Sequence, residues 1–154
     1  MLRKISWKPL AAAVGGTAVI ALLLLMGDAA SVTLLMAPFG ASCVIAFALP
    51  ESPLAKPRSI VGGHLISTGV GLAMLQLFGT STWSLALSVG LAILLMQYTK
   101  TLHPPAGADP LVVIISGASW SFLITPVLLG AVIIALAAYV YRRMLAAKPA
   151  AARQ

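Results

Sequence analysis

The chain has 154 residues, of which 60% are hydrophobic and only 8% are charged, and its mean hydropathy is +1.04. Soluble domains carry about 25% charged residues, so this composition excludes an ordinary soluble protein and predicts an integral membrane protein. The formal net charge of +7 does not indicate a nucleic-acid partner, because the basic residues lie at the chain ends and in short loops.

The hydrophobic residues fall into six segments, which predict an all-α membrane protein with one transmembrane domain over residues 1–154. Segment two has about sixteen residues, or roughly 24 Å of helix, which is short of a bilayer core about 30 Å thick. Segment five is shorter still. The segments comprise approximately residues 9–26, 34–49, 60–78, 83–99, 111–116 and 120–141.

Basic residues precede the first segment, at Arg3, Lys4 and Lys8. They resemble the start of a signal peptide, and we interpret the segment as a retained signal anchor. Ser6 is a candidate N-cap for this helix.

The most unusual stretch of the chain is residues 102–110, Leu-His-Pro-Pro-Ala-Gly-Ala-Asp-Pro. Its prolines remove backbone donors and push the preceding residues out of the α region, so no regular helix can run through it. In lipid, an irregular backbone persists only where it is buried in protein or lines a water-filled cavity. This stretch is therefore a candidate functional site.

The six segments also form two similar sets of three, a first repeat over about residues 9–78 and a second over about 83–142, followed by a basic tail, 143–154. Pro38 and Pro104 occupy equivalent positions in segments two and five, which are both short and interrupted by Gly and Pro. Three crossings per repeat predict two inverted three-helix repeats, a pattern typical of transporters. The alternative is chance similarity between apolar segments.

Charge predicts the orientation. If all six segments cross the bilayer, Lys56, Arg58, Lys100 and the Arg142–Arg143 pair share one side with the N-terminus, and Asp28 lies on the other. The positive-inside rule then predicts a multi-pass protein of a bacterial inner membrane with both termini cytoplasmic. A four-span arrangement with re-entrant segments two and five fits the charges less well.

The inverted arrangement brings the N-termini of the two broken helices together near the midplane. Helix N-termini offer unpaired N–H groups and partial positive charge, which favour an anion. We expect the prolines to cap or gate the site. The predicted binding groups belong to Gly40, Ala41, Ser42, Ala106, Gly107 and Ala108, and the predicted capping or gating residues are Pro38, Pro104 and Pro105.

Three ionisable residues lie in or beside these segments. His64 and His103 are predicted to donate hydrogen bonds to the anion or to move a proton, the alternative being that each only bonds nearby carbonyls. Asp109 would repel an anion, so we expect it to cap the helix that starts before Pro110, or to pair with a histidine or Lys100.

No motif indicates catalysis or metal binding. The sequence contains no G-x-S-x-G, no H-E-x-x-H and only one cysteine, although Ser42 is in principle a nucleophile. We therefore predict neither an enzyme nor a metal site, and no cofactor.

Three motifs resemble the HPP family of integral membrane proteins: residues 102–108 with the His103-Pro104-Pro105 triplet, residues 37–42 and residues 56–64. The resemblance covers about residues 10–142. It implies a small membrane protein, and plant chloroplast and cyanobacterial relatives are associated with nitrite transport. Relatives often have Gly where this chain has Ala106, and the family is commonly described with four spans.

Together these observations predict membrane transport of a small monovalent anion, and the resemblance implies nitrite as its substrate. Two alternatives are a non-transporting membrane scaffold and a channel for another small solute, the latter favoured if Asp109 points into the cavity. The short segments also predict a homo-oligomer, which would shield them from lipid.

Overall fold

The computed structural model describes residues 7–147, so the N-cap predicted at Ser6 and the tail beyond residue 147 lie outside it. Within the described range every regular element is helical, which confirms the prediction of an all-α membrane protein. The α-helices are α1 (Trp7–Ala30), α2 (Ala37–Cys43), α3 (Pro57–Phe78), α4 (Thr82–Tyr98), α5 (Asp109–Ser116) and α6 (Leu129–Ala147).

Short irregular turns extend or connect these helices. A π-helical turn carries α2 on to Ala48, and a 3₁₀ turn, Pro104–Ala108, leads directly into α5. Further 3₁₀ turns lie at Pro53–Ala55 and Trp120–Leu123. Proline lies in the first two positions of α2, α3 and α5, where its missing N–H would have no helical partner in any case.

Among the residues that the structure describes, three helical stretches are long and apolar enough to cross a membrane: Trp7–Ala30, Pro57–Phe78 and Trp120–Ala147. Two shorter apolar helices, Ala37–Ala48 and Thr82–Tyr98, accompany them. The first long helix is the least buried of the three, and the second is the most buried. Helix α3 is therefore the centre of the bundle, in contact with α4, α5 and α6.

The predicted segment six is interrupted, although its apolar sequence predicts one continuous span. A π-helical turn, Ile124–Leu128, separates the turn at Trp120 from α6, and Thr125 within it has extended backbone angles, φ −131° and ψ 112°. The cause is Pro126, which lacks an N–H and disfavours the α region for the residue before it.

Specific contacts define the two ends of the bundle. At one end, the Arg58 Nη2 atom donates to the Thr99 carbonyl across 2.6 Å, so the start of α3 lies beside the end of α4. At the other, the Thr80 hydroxyl donates to the Ile114 carbonyl across 3.2 Å. The helices that these contacts join therefore run in alternating directions between the two ends.

The start of α1, the loop after α2 and the end of α6 also meet, because Trp7, Glu51 and Leu145 line one pocket. Arg142 and Arg143 lie beside Glu51 in a neighbouring pocket. These basic residues thus lie at the end of the bundle where α6 finishes.

Each short helix approaches a long one through a glycine. A Cβ atom at Gly130 of α6 would lie 2.7 Å from Cζ of Phe39 in α2. A Cβ atom at Gly71 of α3 would lie 2.7 Å from Cα of Pro110 in α5. Both distances are too short for a real side chain, so the missing side chains allow α2 and α5 to pack at the centre.

Candidate functional site

Four polar side chains from three parts of the fold meet in the interior. Ser42 comes from α2, His64 from α3, and Asp109 is the first residue of α5; His103 precedes the 3₁₀ turn that leads into α5. The exposed fraction of each residue is 0%. Polar groups buried in a membrane protein are costly, so this cluster is the candidate site.

Ser42 is the hub of the cluster. Its Oγ atom lies 2.8 Å from His64 Nε2 and 2.9 Å from His103 Nε2. On the far side of His64, Nδ1 lies 2.7 Å from Asp109 Oδ2. On the far side of His103, Nδ1 lies 2.8 Å from the carbonyl oxygen of Leu54. The four side chains therefore form one continuous chain of hydrogen bonds.

Proton positions follow from the partners. The Leu54 carbonyl can only accept, so His103 carries a proton on Nδ1 and, when neutral, accepts at Nε2. In this neutral state, Ser42 donates its hydroxyl proton to His103 and His64 donates from Nε2 to Ser42. One further proton lies between His64 Nδ1 and Asp109, and whichever group holds it, the cluster has no net charge.

The prediction that Asp109 caps a helix start is wrong. No side chain caps α5, whose N-cap position is Ala108, and Asp109 lies one residue later within the first turn. Its Oδ2 atom instead faces His64 and accepts from the Thr68 hydroxyl at 3.4 Å. The alternative pairing with a histidine is the one that the structure contains, because a fully buried carboxyl group needs a partner that can share its charge or its proton.

Asp109 also holds one unpaired atom. Its Oδ1 is buried and finds no hydrogen-bond partner within residues 7–147. An unsatisfied buried polar atom costs about 1–3 kcal/mol, so this oxygen is an available acceptor inside the protein.

Packing around the imidazoles holds the chain of hydrogen bonds together. The Phe39 and His64 rings meet edge to face with centroids 5.1 Å apart, as do those of His64 and His103. A Cβ atom at Gly63 would lie 2.7 Å from His103 Cβ, so only glycine allows His103 to approach α3 this closely. Ser67, one turn after His64, donates to the Ala106 carbonyl and ties α3 to the 3₁₀ turn.

The remaining predicted site residues are distributed around this cluster. Pro38, Pro105 and Ala106 are buried and Gly107 is half-buried, whereas Gly40, Ala41, Pro104 and Ala108 are exposed. A Cβ atom at Gly107 would meet nothing within 4 Å, so open space lies beside the broken helix there.

Several of the backbone N–H groups predicted to cradle an anion lie where the helices themselves offer partners. Because α2 begins at Ala37, the N–H groups of Gly40, Ala41 and Ser42 lie beyond its first three residues, within reach of helical partners. The Ala106 N–H donates to the His103 carbonyl across 3.0 Å. The groups that converge are side chains, and the hub position of Ser42 had no signal in the sequence beyond its place after Pro38.

A family model described as the HPP transmembrane region matches residues 2–150. A transmembrane protein of Dictyostelium discoideum is 39% identical over 119 residues, which are 72% of this chain and 42% of that protein. A second transmembrane protein of the same organism is 42% identical over 86 residues, 53% of this chain and 28% of the relative.

The chain thus spans less than half the length of these relatives. No solved structure matches it. The family model covers nearly all of the sequence, including the histidine–proline triplet and the glycine–histidine turn of α3 that build the buried cluster. The chain belongs to the HPP family of transmembrane proteins.

Proposed function

We propose that this protein moves a small monovalent anion across the membrane, with nitrite as the first substrate to test. The observation that carries the proposal is the buried cluster of Ser42, His64, His103 and Asp109 at the meeting of two broken helices. Ionisable groups within a membrane protein are rare because burying them is costly, and those that occur mark ion pathways and proton relays.

Neutralisation of Asp109 removes the main objection to an anion. A free carboxylate at the site would repel nitrite, but the pair of Asp109 with His64 has no net charge. An anion that reaches the cluster would take a donor, the Ser42 hydroxyl or an imidazole N–H, from one of these internal hydrogen bonds. The open space beside Gly107 is the approach that we assign to it.

We further propose that the chain is a pair of inverted three-helix repeats. The contacts between helices support this, because each pair in contact has a counterpart when the two halves are exchanged. Helix α1 packs on α6 as α4 packs on α3, α2 packs on α6 as α5 packs on α3, and α1 contacts α2 as α4 contacts α5. The glycines at 130 and 71 occupy corresponding places in this scheme.

Orientation and assembly belong to the same proposal. We place both termini in the cytoplasm of a bacterial cell, with Lys100 on that side and Asp28 on the other, and we expect a homo-oligomer that covers the exposed face of α2. Cys43 is the single cysteine, so Cys43→Ala provides a background for one new cysteine at position 28 or 100. Impermeant maleimide applied outside intact cells should label position 28 and spare position 100.

The decisive experiment is nitrite uptake into proteoliposomes that contain the purified protein, with an imposed pH gradient and chloride, formate and nitrate as competitors. Saturable, gradient-driven nitrite entry is the expected result. Vesicles that remain as tight as protein-free ones to every anion would favour the scaffold alternative. Entry of a neutral or cationic solute instead would favour the channel alternative.

One observation favours a second candidate, an intramembrane hydrolase. The order Asp109, His64, Ser42, with contacts of 2.7 and 2.8 Å, is that of a Ser–His–Asp triad. Against it, Ser42 is fully buried and its proton goes to His103. A fluorophosphonate probe tests this directly: labelling that disappears in Ser42→Ala would support the hydrolase, and we expect no labelling.

A further inference from the structure

When His103 is neutral, the hydrogen bonds of the buried cluster all run in the same direction. His103 Nδ1 donates to the Leu54 carbonyl, and in this protonation state Ser42 donates to His103, His64 donates to Ser42, and the last proton lies between His64 and Asp109. Such a chain transmits a proton without moving any heavy atom far, because each member passes on one proton and receives another.

We propose that Asp109, His64, Ser42 and His103 form a proton relay, and that the Ser42 hydroxyl is its switch. The relay itself needs no anion. Its role in transport, to supply the proton that accompanies each anion, rests on the proposed function.

The transfer balances as three coupled steps. The proton on Ser42 Oγ passes to His103 Nε2, the proton on His64 Nε2 passes to Ser42, and the proton shared with Asp109 passes to His64 Nδ1. Asp109 ends as a carboxylate, His64 and Ser42 are neutral, and His103 is an imidazolium. One proton has thus moved from Asp109 to His103, and no bond other than those to hydrogen has changed.

Ser42 can interrupt this transfer. Its Oγ lies 2.9 Å from His103 Nε2 but also 3.3 Å from the Pro38 carbonyl, one turn back along α2. Because the serine hydroxyl has only one proton, donating it to the Pro38 carbonyl leaves His103 Nε2 without a hydrogen-bond donor. Rotation about a single side-chain bond therefore connects or disconnects the two imidazoles.

The relay has distinct ends. At one, the unpaired Asp109 Oδ1 is the acceptor available to an incoming proton. At the other, His103 faces the carbonyl of Leu54, three residues after Glu51 in the loop at the end of the bundle where α6 finishes. The relay thus leads from the interior toward that end.

Within residues 7–147, the helices carry no second chain of ionisable groups beside the relay. Helix α1 has Lys8 and Asp28 near its two ends, α2 has the Cys43 thiol, α4 has Tyr98, and α5 has Asp109. In α3 the charged residue is Arg58, which bonds the Thr99 carbonyl. The ionisable residues of α6, Tyr139, Tyr141, Arg142 and Arg143, lie in its second half.

The test is proton flux into proteoliposomes of the full chain, followed with a trapped pH dye under a valinomycin-imposed potential, beside nitrite uptake in the same vesicles. Ser42→Ala should lower the proton flux by at least about tenfold, since it removes one transfer step. Ser42→Thr keeps a hydroxyl and should retain most of the flux.

Ser88→Ala is the matched control. Ser88 is equally buried, but its hydroxyl bonds only the Leu85 carbonyl of its own helix across 2.7 Å, and the change should leave both fluxes unaltered. The unaltered protein gives a second measurement independent of any variant, because a relay should conduct more slowly in D₂O than in H₂O.

The outcomes separate the two proposals. Proton flux that depends on Ser42 without nitrite entry would keep the relay and overturn anion transport. Nitrite entry with the same proton flux in Ser42→Ala as in the unaltered protein, or with no slowing in D₂O, would overturn the relay and keep transport. If neither ion moves, both are overturned.

Discussion

The two short helices, α2 and α5, pack on the long helices in the same way but carry different polar side chains. Each has a proline in its first turn, and each packs on a long helix over a glycine, Phe39 over Gly130 and Pro110 over Gly71. Yet α2 brings one hydroxyl to the centre, whereas α5 and the segment before it bring a carboxyl group and an imidazole. Two short helices that pack alike thus hold different polar groups, and this difference gives the chain of hydrogen bonds one direction.

The largest effect should follow from removing the acid on the α5 side. Asp109→Asn keeps a donor for His64 Nδ1 but cannot release a proton, so we expect gradient-driven uptake to fall roughly 10²-fold while the thermal stability in detergent stays close to normal. Asp109→Ala leaves the imidazole unpaired and should also lose about 1–3 kcal/mol of stability. Normal uptake by Asp109→Asn would show that uptake needs no proton from the α5 side.

The next prediction compares the glycines of the two short segments. Gly107 and Gly40 both have open space around a hypothetical Cβ, but Gly107 is half-buried and Gly40 is exposed. We expect Gly107→Val to block nitrite uptake without preventing insertion, and Gly40→Val to remain active. An active and substrate-selective Gly107→Val protein would remove the anion path from this place.

The close packing of the short helices can be tested by replacing glycines of the long helices with alanine. Gly71→Ala would push on the backbone of Pro110, and Gly130→Ala would push on the fully buried Phe39 ring, so each should cost about 1–3 kcal/mol of stability. Only Gly71→Ala displaces the residue next to Asp109, and it should reduce uptake more. Gly90→Ala, which meets open space, is the control, and equal stability of all three would refute the close packing.

The smallest expected effect concerns a contact that involves neither of the two short helices. Arg58 donates to the Thr99 carbonyl at the exposed end of the bundle. Its replacement by Ala should cost less than about 1 kcal/mol and leave uptake unchanged, because exposed hydrogen bonds exchange readily with water. A large loss of uptake in this variant would mean that the end of the bundle, rather than its centre, controls transport.

The sequence predicted what depends on local rules. The apolar segments, the proline break after His103 and the three ionisable residues of the interior all followed from composition, helix length and the cost of polar groups in lipid. The structure places the ends of the predicted segments three and five within three residues of the expected positions.

What the sequence could not supply are contacts between distant positions. Ser42, His64 and Asp109 lie 22 and 45 residues apart, and nothing local indicates that they share hydrogen bonds. The backbone cradle was predicted because a helix start offers free N–H groups. It failed at Ala106 because the 3₁₀ turn pairs that group within itself.

The contact between Gly63 and His103 has a consequence for sequence variation in the family. A Cβ atom at position 63 would lie 2.7 Å from Cβ of His103 and 3.0 Å from the Thr101 carbonyl oxygen. The imidazole can therefore keep this position only while residue 63 is glycine. The two positions, far apart in the sequence, should therefore change together. A relative that acquires a side chain at the position of Gly63 should also lack the histidine of the triplet, and natural sequences can be searched for this pairing.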